Sequence, residues 1–294
     1  MIHATRAGRH RLTIRMLAAA AVVAATAAVL PSSASASACP ATAATKSDHM
    51  DHKPTIVLVH GAWADGSSWD GVITRLEHMG YSVVAPPDPL RGVSSDAAYL
   101  ADYLSTLKGP LVLVGHSYGG MVITNAALGN RNVKALVYDD AYIPAQGQTV
   151  VEITGAKPGS ALAVSDPTTV FNLVPYPGAP AGDADLYLKP KLVRTAFAQD
   201  VPFLKQNQLI ATQRPVTASA LNEPSGAPAW KTIPSWALIG RQDRIIPAAE
   251  QRAMARTAHA HVTEINSSHV SLISHPQAVA DVIVSAARHS LKRR

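Results

Sequence analysis

Residues Gly115–Gly120 read Gly-His-Ser-Tyr-Gly-Gly, and this stretch decides the fold. The apolar run Pro110–Val114 before it has the composition of a buried strand, and Met121–Leu128 after it has that of a helix closed by Gly129. A Gly-x-Ser-x-Gly between a strand and a helix is typical of a nucleophile elbow, a strained turn that exposes a reactive serine. The flanking elements therefore favour a nucleophilic Ser117 over an ordinary glycine-rich turn.

Apolar segments on both sides of this motif continue an alternation of strands and helices. Uninterrupted apolar runs separated by amphipathic segments are typical of a parallel sheet with helices on both faces. We predict an α/β fold with a mostly parallel sheet of about six strands. The predicted strands are Thr55–His60, Tyr81–Ala85, Pro110–Val114, Val133–Tyr138, Ser235–Gly240 and His261–Ile265. The predicted helices are Ser68–Met79, Ser94–Leu107 (capped by Ser94–Asp96), Met121–Leu128, Ala248–Thr257 and Pro276–Arg288.

The alternation is interrupted between residues 147 and 230, which contain ten prolines and no strong apolar strand. We predict that this segment is a cap inserted into a core made of residues 54–146 and 231–294. Short helices are expected in the cap at Asp183–Leu188 and Leu192–Gln199. Residues 39–53 lack periodicity and are predicted to form a solvated linker. Acidic and histidine side chains of the linker could chelate a metal, but a flexible segment would not hold them together, so no metal site is predicted.

The first 38 residues have the order of segments found in secretory signal peptides. A stretch with four arginines and no acidic residue precedes the apolar run Met16–Leu30, and a small-residue tract ends in Ala36-Ser37-Ala38. We therefore predict a signal peptide over residues 1–38 and a secreted protein. An uncleaved membrane anchor is the alternative, although the apolar run is short for a full span.

Cys39 is the only cysteine and directly follows the predicted cleavage site. A single cysteine excludes an internal disulfide. The position resembles that of the acylated cysteine of bacterial lipoproteins, but Ala36 stands where such signals usually carry leucine. Lipid anchoring at Cys39 is therefore the alternative to free secretion.

The basic balance of the chain, +6 at pH 7, comes mostly from its two ends. Four arginines lie in the predicted signal peptide, and Lys292–Arg294 adds three more positive charges. The expected folded body is near neutral, so the charge gives no support for a nucleic-acid partner. The expected partner is a small-molecule substrate.

A serine hydroxyl is too weakly acidic to attack an ester alone, so it needs a base. His269 directly follows the last predicted strand, whereas His275 lies six residues later, at the start of the final helix. The loop directly beyond the strand is the better position, so we predict His269 as the base with His275 as the alternative. His259 and His261 lie at the other end of that strand and are expected to be surface or packing residues.

The base in turn needs an acid that orients it, placed after another strand and between serine and histidine along the chain. Asp243 meets both requirements, because it follows the predicted strand Ser235–Gly240. The alternative is Asp139 or Asp140, after the predicted strand that ends at Tyr138.

The oxyanion formed when a serine attacks a carbonyl needs backbone N–H donors. One predicted donor is the N–H of Tyr118, and the other is that of Ala62 in the loop after the first strand. Gly61 would let that loop turn in tightly, and Gly61 and Trp63 are candidate pocket residues. The alternative is that the loop is a simple strand-to-helix turn in which the aromatic side chain of Trp63 only fills space. Four further aromatic residues could line the pocket or belong to the core: Trp69, Tyr176, Phe197 and Phe203.

Together these motifs resemble the α/β-hydrolase superfamily. The matching stretches are Val59–Trp63, Gly115–Gly120, Gly240–Pro247 and Ser268-His269, and the chain order of serine, aspartate and histidine is that of the superfamily. More narrowly, they are similar to the branch that holds plant methylesterases, hydroxynitrile lyases and bacterial small-ester hydrolases. The resemblance covers residues 54–290 and is weak in the cap. It implies an α/β-hydrolase fold with a helical cap, and catalysis without a metal or cofactor.

Two positions depart from the lyases of this branch, which place a lysine directly after the catalytic histidine and a threonine directly after the histidine that ends the first strand. Here Val270 and Gly61 occupy those places. Val270 cannot supply a positive charge for a cyanide leaving group. We therefore predict a serine carboxylesterase acting on small apolar esters or lactones. The alternatives are a lyase that cleaves carbon–carbon bonds and a non-catalytic ligand-binding homologue.

Overall fold

A central sheet of six parallel strands organises residues 53–292, the part of the chain that this computed structural model describes. The strand order is β2-β1-β3-β4-β8-β9, and a second, antiparallel sheet has the order β5-β6-β7. The strands are β1 Thr55–Val59, β2 Val83–Val84, β3 Leu111–His116, β4 Val133–Asp139, β5 Phe171–Val174, β6 Asp185–Leu188, β7 Val216–Thr217, β8 Ser235–Gly240 and β9 His261–Ile265. The predicted signal peptide, Cys39 and nearly all of the predicted linker lie outside the described residues. The predicted α/β fold with a six-stranded parallel sheet is confirmed.

Helices pack against the central sheet in two groups. Helices α2 and α3 contact each other, α1 and α10 contact each other, and both α3 and α10 contact β3 and β4. The helices are α1 Asp70–His78, α2 Val93–Ser105, α3 Gly119–Ala126, α4 Val150–Ala156, α5 Pro190–Leu192, α6 Phe203–Thr212, α7 Ala218–Asn222, α8 Ala248–Thr257, α9 Ser271–Ser274 and α10 Pro276–Lys292. Shorter helical turns are Gly66–Trp69, Pro167–Thr169, Val193–Phe197 and Ala229–Lys231. Within residues 53–292 no helix is long and apolar enough to cross a membrane.

The burial of the strands follows their place in the sheet. Every residue of β3 and β8 is buried, because both strands have neighbours on each side and helices above and below. The edge strand β9 is mostly exposed. Since all six strands run the same way, the segments that follow β1, β3, β4, β8 and β9 meet at one edge of the sheet.

Residues 147–230 contain the antiparallel sheet together with α4 to α7. The helix predicted over Asp183–Leu188 is wrong, because Asp185–Leu188 is the central strand β6. Its backbone pairs with Phe171–Val174 on one side and with Val216–Thr217 on the other. Pairing between segments this distant in sequence overrides the weak local preference. The helix predicted over Leu192–Gln199 is present in part, as α5 and the turn Val193–Phe197.

Several element boundaries differ from their predictions, and the differences at β2 and α2 have a clear local cause. Strand β2 is shorter than the predicted Tyr81–Ala85, and it ends before two prolines that lack the N–H needed to continue a ladder. Helix α2 begins at Val93 with Gly92 as its N-cap, so the expected cap at Ser94–Asp96 is wrong. The Asp96 side chain instead accepts hydrogen bonds from the loop before the helix, from the N–H groups of Arg91 and Gly92.

Candidate active site

Ser117 lies on the turn between β3 and α3 with a φ of 52°, in the left-handed region that side chains rarely adopt. The glycines around it are required by close contacts. A β-carbon on Gly115 would lie 2.6 Å from the carbonyl oxygen of Gly119, and one on Gly119 would lie 2.5 Å from that of Val59. The strand and the helix can therefore pass each other only because these two side chains are absent. Strain of this kind is typical of functional sites.

Three of the predicted site residues come together at the carboxyl edge of the sheet. The Nε2 atom of His269 lies 2.8 Å from Ser117 Oγ, and its Nδ1 atom lies 2.8 Å from Asp243 Oδ2. The side chains of His269 and Asp243 are fully buried behind the serine. One imidazole thus links a hydroxyl to a carboxylate, which is the arrangement needed to move a proton from the hydroxyl.

The Asp243 carboxylate is held from several directions. Its Oδ1 accepts hydrogen bonds from the N–H groups of Ile245 and Ile246, and its Oδ2 accepts one from Gln251 Nε2. Burial raises the pKa of Asp243, and these three donors oppose that shift. The donors fix the carboxylate in the plane where it can accept the Nδ1–H of His269.

The alternative residues occupy other places. His275 Nδ1 bonds to Ser274 Oγ and lies 3.9 Å from Asp200 Oδ2. Asp140 accepts from the N–H groups of Gly240 and Ser271, so it joins the end of β8 to the loop that carries His269. Asp139 accepts from the Ser271 hydroxyl. At the other end of β9, His261 packs on Trp236 with ring centroids 4.9 Å apart.

Burial controls the protonation of the two histidines at this edge. It lowers the pKa of His269 to about 4, against an opposing effect of the Asp140 carboxylate. His269 is therefore neutral at pH 7 and able to accept a proton. His116 is also buried, which lowers its pKa, and its Nε2–H donates to the backbone oxygen of His269 at 2.8 Å. His116 thus anchors the loop that carries the imidazole, a contact that the sequence did not indicate.

The loop after β1 lies directly against the elbow. A β-carbon on Gly61 would lie 2.6 Å from Ser117 Cβ and 3.1 Å from the Tyr118 nitrogen. Within residues 53–292 the N–H groups of Ala62 and Tyr118 donate to no protein acceptor, and both residues line a cavity together with Ser117. Two free N–H groups beside a serine oxygen have the arrangement that an oxyanion needs.

The ring of Tyr118 is tied to the loop of residues 88–92. Its hydroxyl donates to Asp96 Oδ2 at 3.0 Å, and Asp96 in turn accepts from the backbone of Arg91. The same loop contacts the segment 147–230, because the Arg91 guanidinium pairs with Asp185 and the carbonyl of Leu90 accepts from the N–H of Thr217. Sequence reasoning missed these contacts, since no spacing rule relates a helix aspartate to the residue after a serine.

The cavity beside Ser117 measures about 550 Å³ and lies between the sheet edge and the segment 147–230. Trp63 lines it and stacks on Phe171, with ring centroids 5.6 Å apart, while its Nε1–H donates to the carbonyl of Leu186. Gly61 lies behind the serine and not in the cavity wall. Of the other four candidate aromatics, none lines the cavity. Trp69 and Phe197 are buried, Tyr176 contacts Arg91, and Phe203 is exposed.

Within residues 53–292 no group of three or more histidine, cysteine or acidic side chains is arranged to hold a metal ion. The groups that the site brings together are a hydroxyl, an imidazole, a carboxylate and two N–H donors. This set can generate a nucleophilic oxygen and stabilise the negative charge that develops on a carbonyl under attack.

Comparison with known proteins gives the family. A pyrethroid hydrolase from Sphingobium wenxiniae is 28% identical over 250 residues, which cover 79% of this chain and 87% of that protein. A carbendazim hydrolyzing esterase from a Nocardioides species is 33% identical over 114 residues, or 33% of this chain and 46% of that esterase. The crystal structure of polyneuridine aldehyde esterase matches with a TM-score of 0.66 at 18% identity, covering 79% of this chain and 98% of that one. The structure of an extracellular alpha/beta-hydrolase from a Paenibacillus species matches with a TM-score of 0.65 at 20% identity, covering 80% of this chain and 99% of that one. The model of the alpha/beta hydrolase family matches residues 56–282, and the chain therefore belongs to that family.

Proposed function

We propose that this protein is a serine carboxylesterase that cleaves small, largely apolar esters or lactones. The observation that carries the proposal is the imidazole of His269, which hydrogen-bonds to both Ser117 Oγ and Asp243 Oδ2. Ser117 attacks the acyl carbon while His269 takes the hydroxyl proton. Asp243 accepts the Nδ1–H, holds the ring in the required tautomer and stabilises the imidazolium that forms.

The remaining steps use the same groups. The N–H groups of Ala62 and Tyr118 stabilise the tetrahedral oxyanion, which collapses when the protonated His269 gives its proton to the leaving alcohol. A water then attacks the acyl-enzyme and gives a proton to His269. The second tetrahedral intermediate releases the carboxylic acid, and the proton returns to Ser117. In this scheme the serine proton passes to the leaving alcohol and the water proton passes to Ser117, both through the one imidazole.

The names of the relatives support an ester hydrolase, since they include a pyrethroid hydrolase and an esterase. The residue after His269 also supports hydrolysis over carbon–carbon cleavage. Val270 is fully buried there and offers no positive charge to a cyanide leaving group. We further propose that the enzyme is secreted, on the basis of the order of segments in residues 1–38. Sequencing the N-terminus of protein from the culture medium tests this, and membrane-bound protein acylated at Cys39 would contradict free secretion.

The direct test compares purified wild-type protein with Ser117→Ala on p-nitrophenyl butyrate. We expect turnover by the wild type, covalent labelling of Ser117 by a fluorophosphonate probe, and loss of both in the variant. Equal rates in the two proteins would refute the proposed function. Cyanide release from mandelonitrile should stay at background in both.

A further inference from the structure

Among residues 53–292, the side chains that line the cavity beside Ser117 include none that is charged at neutral pH. Most of its residues are aliphatic, and three of them form an exposed apolar rim: Val151, Val164 and Leu173. A charged group that entered would lose its water without gaining a counter-ion, which carries a large penalty. The cavity therefore suits an uncharged substrate with sizeable apolar parts.

One buried polar pair interrupts this apolar wall beyond the serine. Tyr142 and Thr154 both line the cavity, and they are only 2% and 7% exposed. The Tyr142 hydroxyl lies 2.8 Å from Thr154 Oγ1, and either oxygen could be the donor. The other polar side chains beyond the serine differ from this pair. The Tyr118 hydroxyl donates to Asp96, the Trp63 Nε1–H donates to a backbone carbonyl, and Asn222 is exposed.

The Tyr142–Thr154 pair carries one more hydroxyl hydrogen than its contact can use. Two hydroxyls carry two hydrogens, and the contact between Tyr142 and Thr154 uses one of them. The other hydrogen has no acceptor within residues 53–292. Buried hydroxyls in proteins nearly always find a partner. Both residues line the cavity, which is large enough to hold a group that accepts this hydrogen.

A second Tyr–Thr pair in the same protein shows the balanced case. Tyr138 and Thr124 are buried, and their hydroxyl oxygens lie 2.9 Å apart. Thr124 donates to the carbonyl of Gly120 at 2.7 Å, which leaves Tyr138 to donate to Thr124. Both hydrogens are used, and neither residue lines the cavity. Thr154 also lies on a helix, yet it makes no such bond to the preceding turn within the described residues.

We propose that the cavity receives an uncharged, largely apolar ester that carries a second hydrogen-bond-accepting oxygen, and that the Tyr142–Thr154 hydroxyl pair binds that oxygen. The oxygen would be an ether or carbonyl oxygen away from the bond that is cleaved. The inference rests on the proposed esterase function and adds the substrate class and the residues that select it.

The test moves one oxygen along the substrate. In the first series each methylene of p-nitrophenyl hexanoate in turn is replaced by an ether oxygen, beginning at the third carbon of the acyl chain. In the second series the same replacement is made along the alcohol chain of hexyl butyrate, with acid release followed by a pH indicator. For every ester the ratio of its kcat/KM to that of the all-carbon parent is measured.

The wild type and the double variant Tyr142→Phe/Thr154→Val are compared, with Tyr138→Phe as the control. We expect one oxygen position to stand out in the wild type, with a ratio roughly two- to tenfold above that of the double variant, the size of one neutral hydrogen bond. The control should keep the wild-type ratio. A flat profile in the wild type along both series would overturn the proposal, even if the double variant failed to fold. A preferred position that survives in the double variant would overturn it as well.

The second arm tests the charge. p-Nitrophenyl methyl adipate and p-nitrophenyl hydrogen adipate differ by one methyl group and one negative charge. We expect kcat/KM for the charged ester to be at least about a hundredfold lower. Similar values for the two esters would overturn the uncharged class. Turnover of p-nitrophenyl hexanoate that disappears in Ser117→Ala establishes the esterase separately, so the proposal on selectivity can fail while the proposed function holds.

Discussion

Replacing Asp243 by asparagine changes one carboxylate oxygen in the proposed catalytic triad of Ser117, His269 and Asp243 into an NH₂ group. The carboxylate accepts two backbone N–H groups on Oδ1, and the Nδ1–H of His269 and the amide of Gln251 on Oδ2. If the amide oxygen keeps the Oδ1 position, the NH₂ group faces two donors. If the amide flips, its NH₂ group takes the Oδ1 position and faces the N–H groups of Ile245 and Ile246. Each buried N–H left unpaired in this way costs roughly 1–3 kcal/mol.

The first arrangement is cheaper because the imidazole can respond by moving its proton. His269 then takes the Nε2–H tautomer, accepts from the new NH₂ group and can no longer accept the proton of Ser117. In serine proteases loss of the acid in this way lowers turnover on the order of ten-thousand-fold. We expect Asp243→Asn to lose at least about a hundredfold in kcat, with a small change in KM.

The assay is initial-rate hydrolysis of p-nitrophenyl butyrate, with circular dichroism and thermal unfolding to check the fold. The control is Asp140→Asn, which alters a buried aspartate at the same sheet edge that bonds to Gly240 and Ser271 and not to the imidazole. We expect Asp140→Asn to lower stability and to change kcat by less than about tenfold. If Asp140→Asn abolishes turnover while Asp243→Asn retains it, the assignment of Asp243 is wrong and the acid lies after β4.

Three further outcomes follow from the geometry. Because burial lowers the pKa of His269 to about 4, kcat/KM should rise with pH through about 4 as the imidazole becomes neutral, and a midpoint near 6.5 in the pH–rate profile would contradict this. Gly119→Ala would place a β-carbon 2.5 Å from a β1 carbonyl oxygen and should lower the free energy of unfolding by roughly 1–3 kcal/mol. The control Gly155→Ala lies in a helix with open space around it and should not lower the free energy of unfolding, so equal effects of the two variants in denaturant titrations would refute the close-passage argument. Trp63→Phe keeps the stack on Phe171 but loses the hydrogen bond to the Leu186 carbonyl. We expect the free energy of unfolding to fall by roughly 0.5–1.5 kcal/mol and KM to rise, and unchanged values of both would show that this bond is unimportant.

The parallel sheet and the position of the nucleophile could be predicted from the sequence because each is determined by neighbouring residues. The run Ser235–Gly240 is uninterrupted and apolar, as a strand buried on both faces must be, and its bounds were predicted correctly. Gly115 and Gly119 stand two residues either side of Ser117, where the turn has no room for a β-carbon. Such constraints leave a local signal in the sequence.

The contacts that the sequence did not indicate join residues far apart in the chain. Strand β6 gains its structure from pairing with β5 and β7, and its own four residues carry no strong strand pattern. The hydroxyl bond between Tyr118 and Asp96 spans 22 positions, and the pair of Tyr142 and Thr154 depends on how α4 sits over the sheet edge. Hydrogen bonds of this kind follow from tertiary packing, which periodicity and spacing do not encode.

The contacts of the loop of residues 88–92 should give different parts of the segment 147–230 different freedom to vary during evolution. Strands β6 and β7 are linked to Tyr118 through Arg91 and its neighbours, so we expect a change at Asp185 or Thr217 to alter the geometry of an N–H proposed to bind the oxyanion. Helix α4 and strand β5 line the same cavity, and among residues 53–292 they make no hydrogen bond or ion pair to the loop. We therefore expect mutations that broaden or shift the range of accepted compounds to accumulate in residues 150–173 and to be rarer at Asp185 and Thr217.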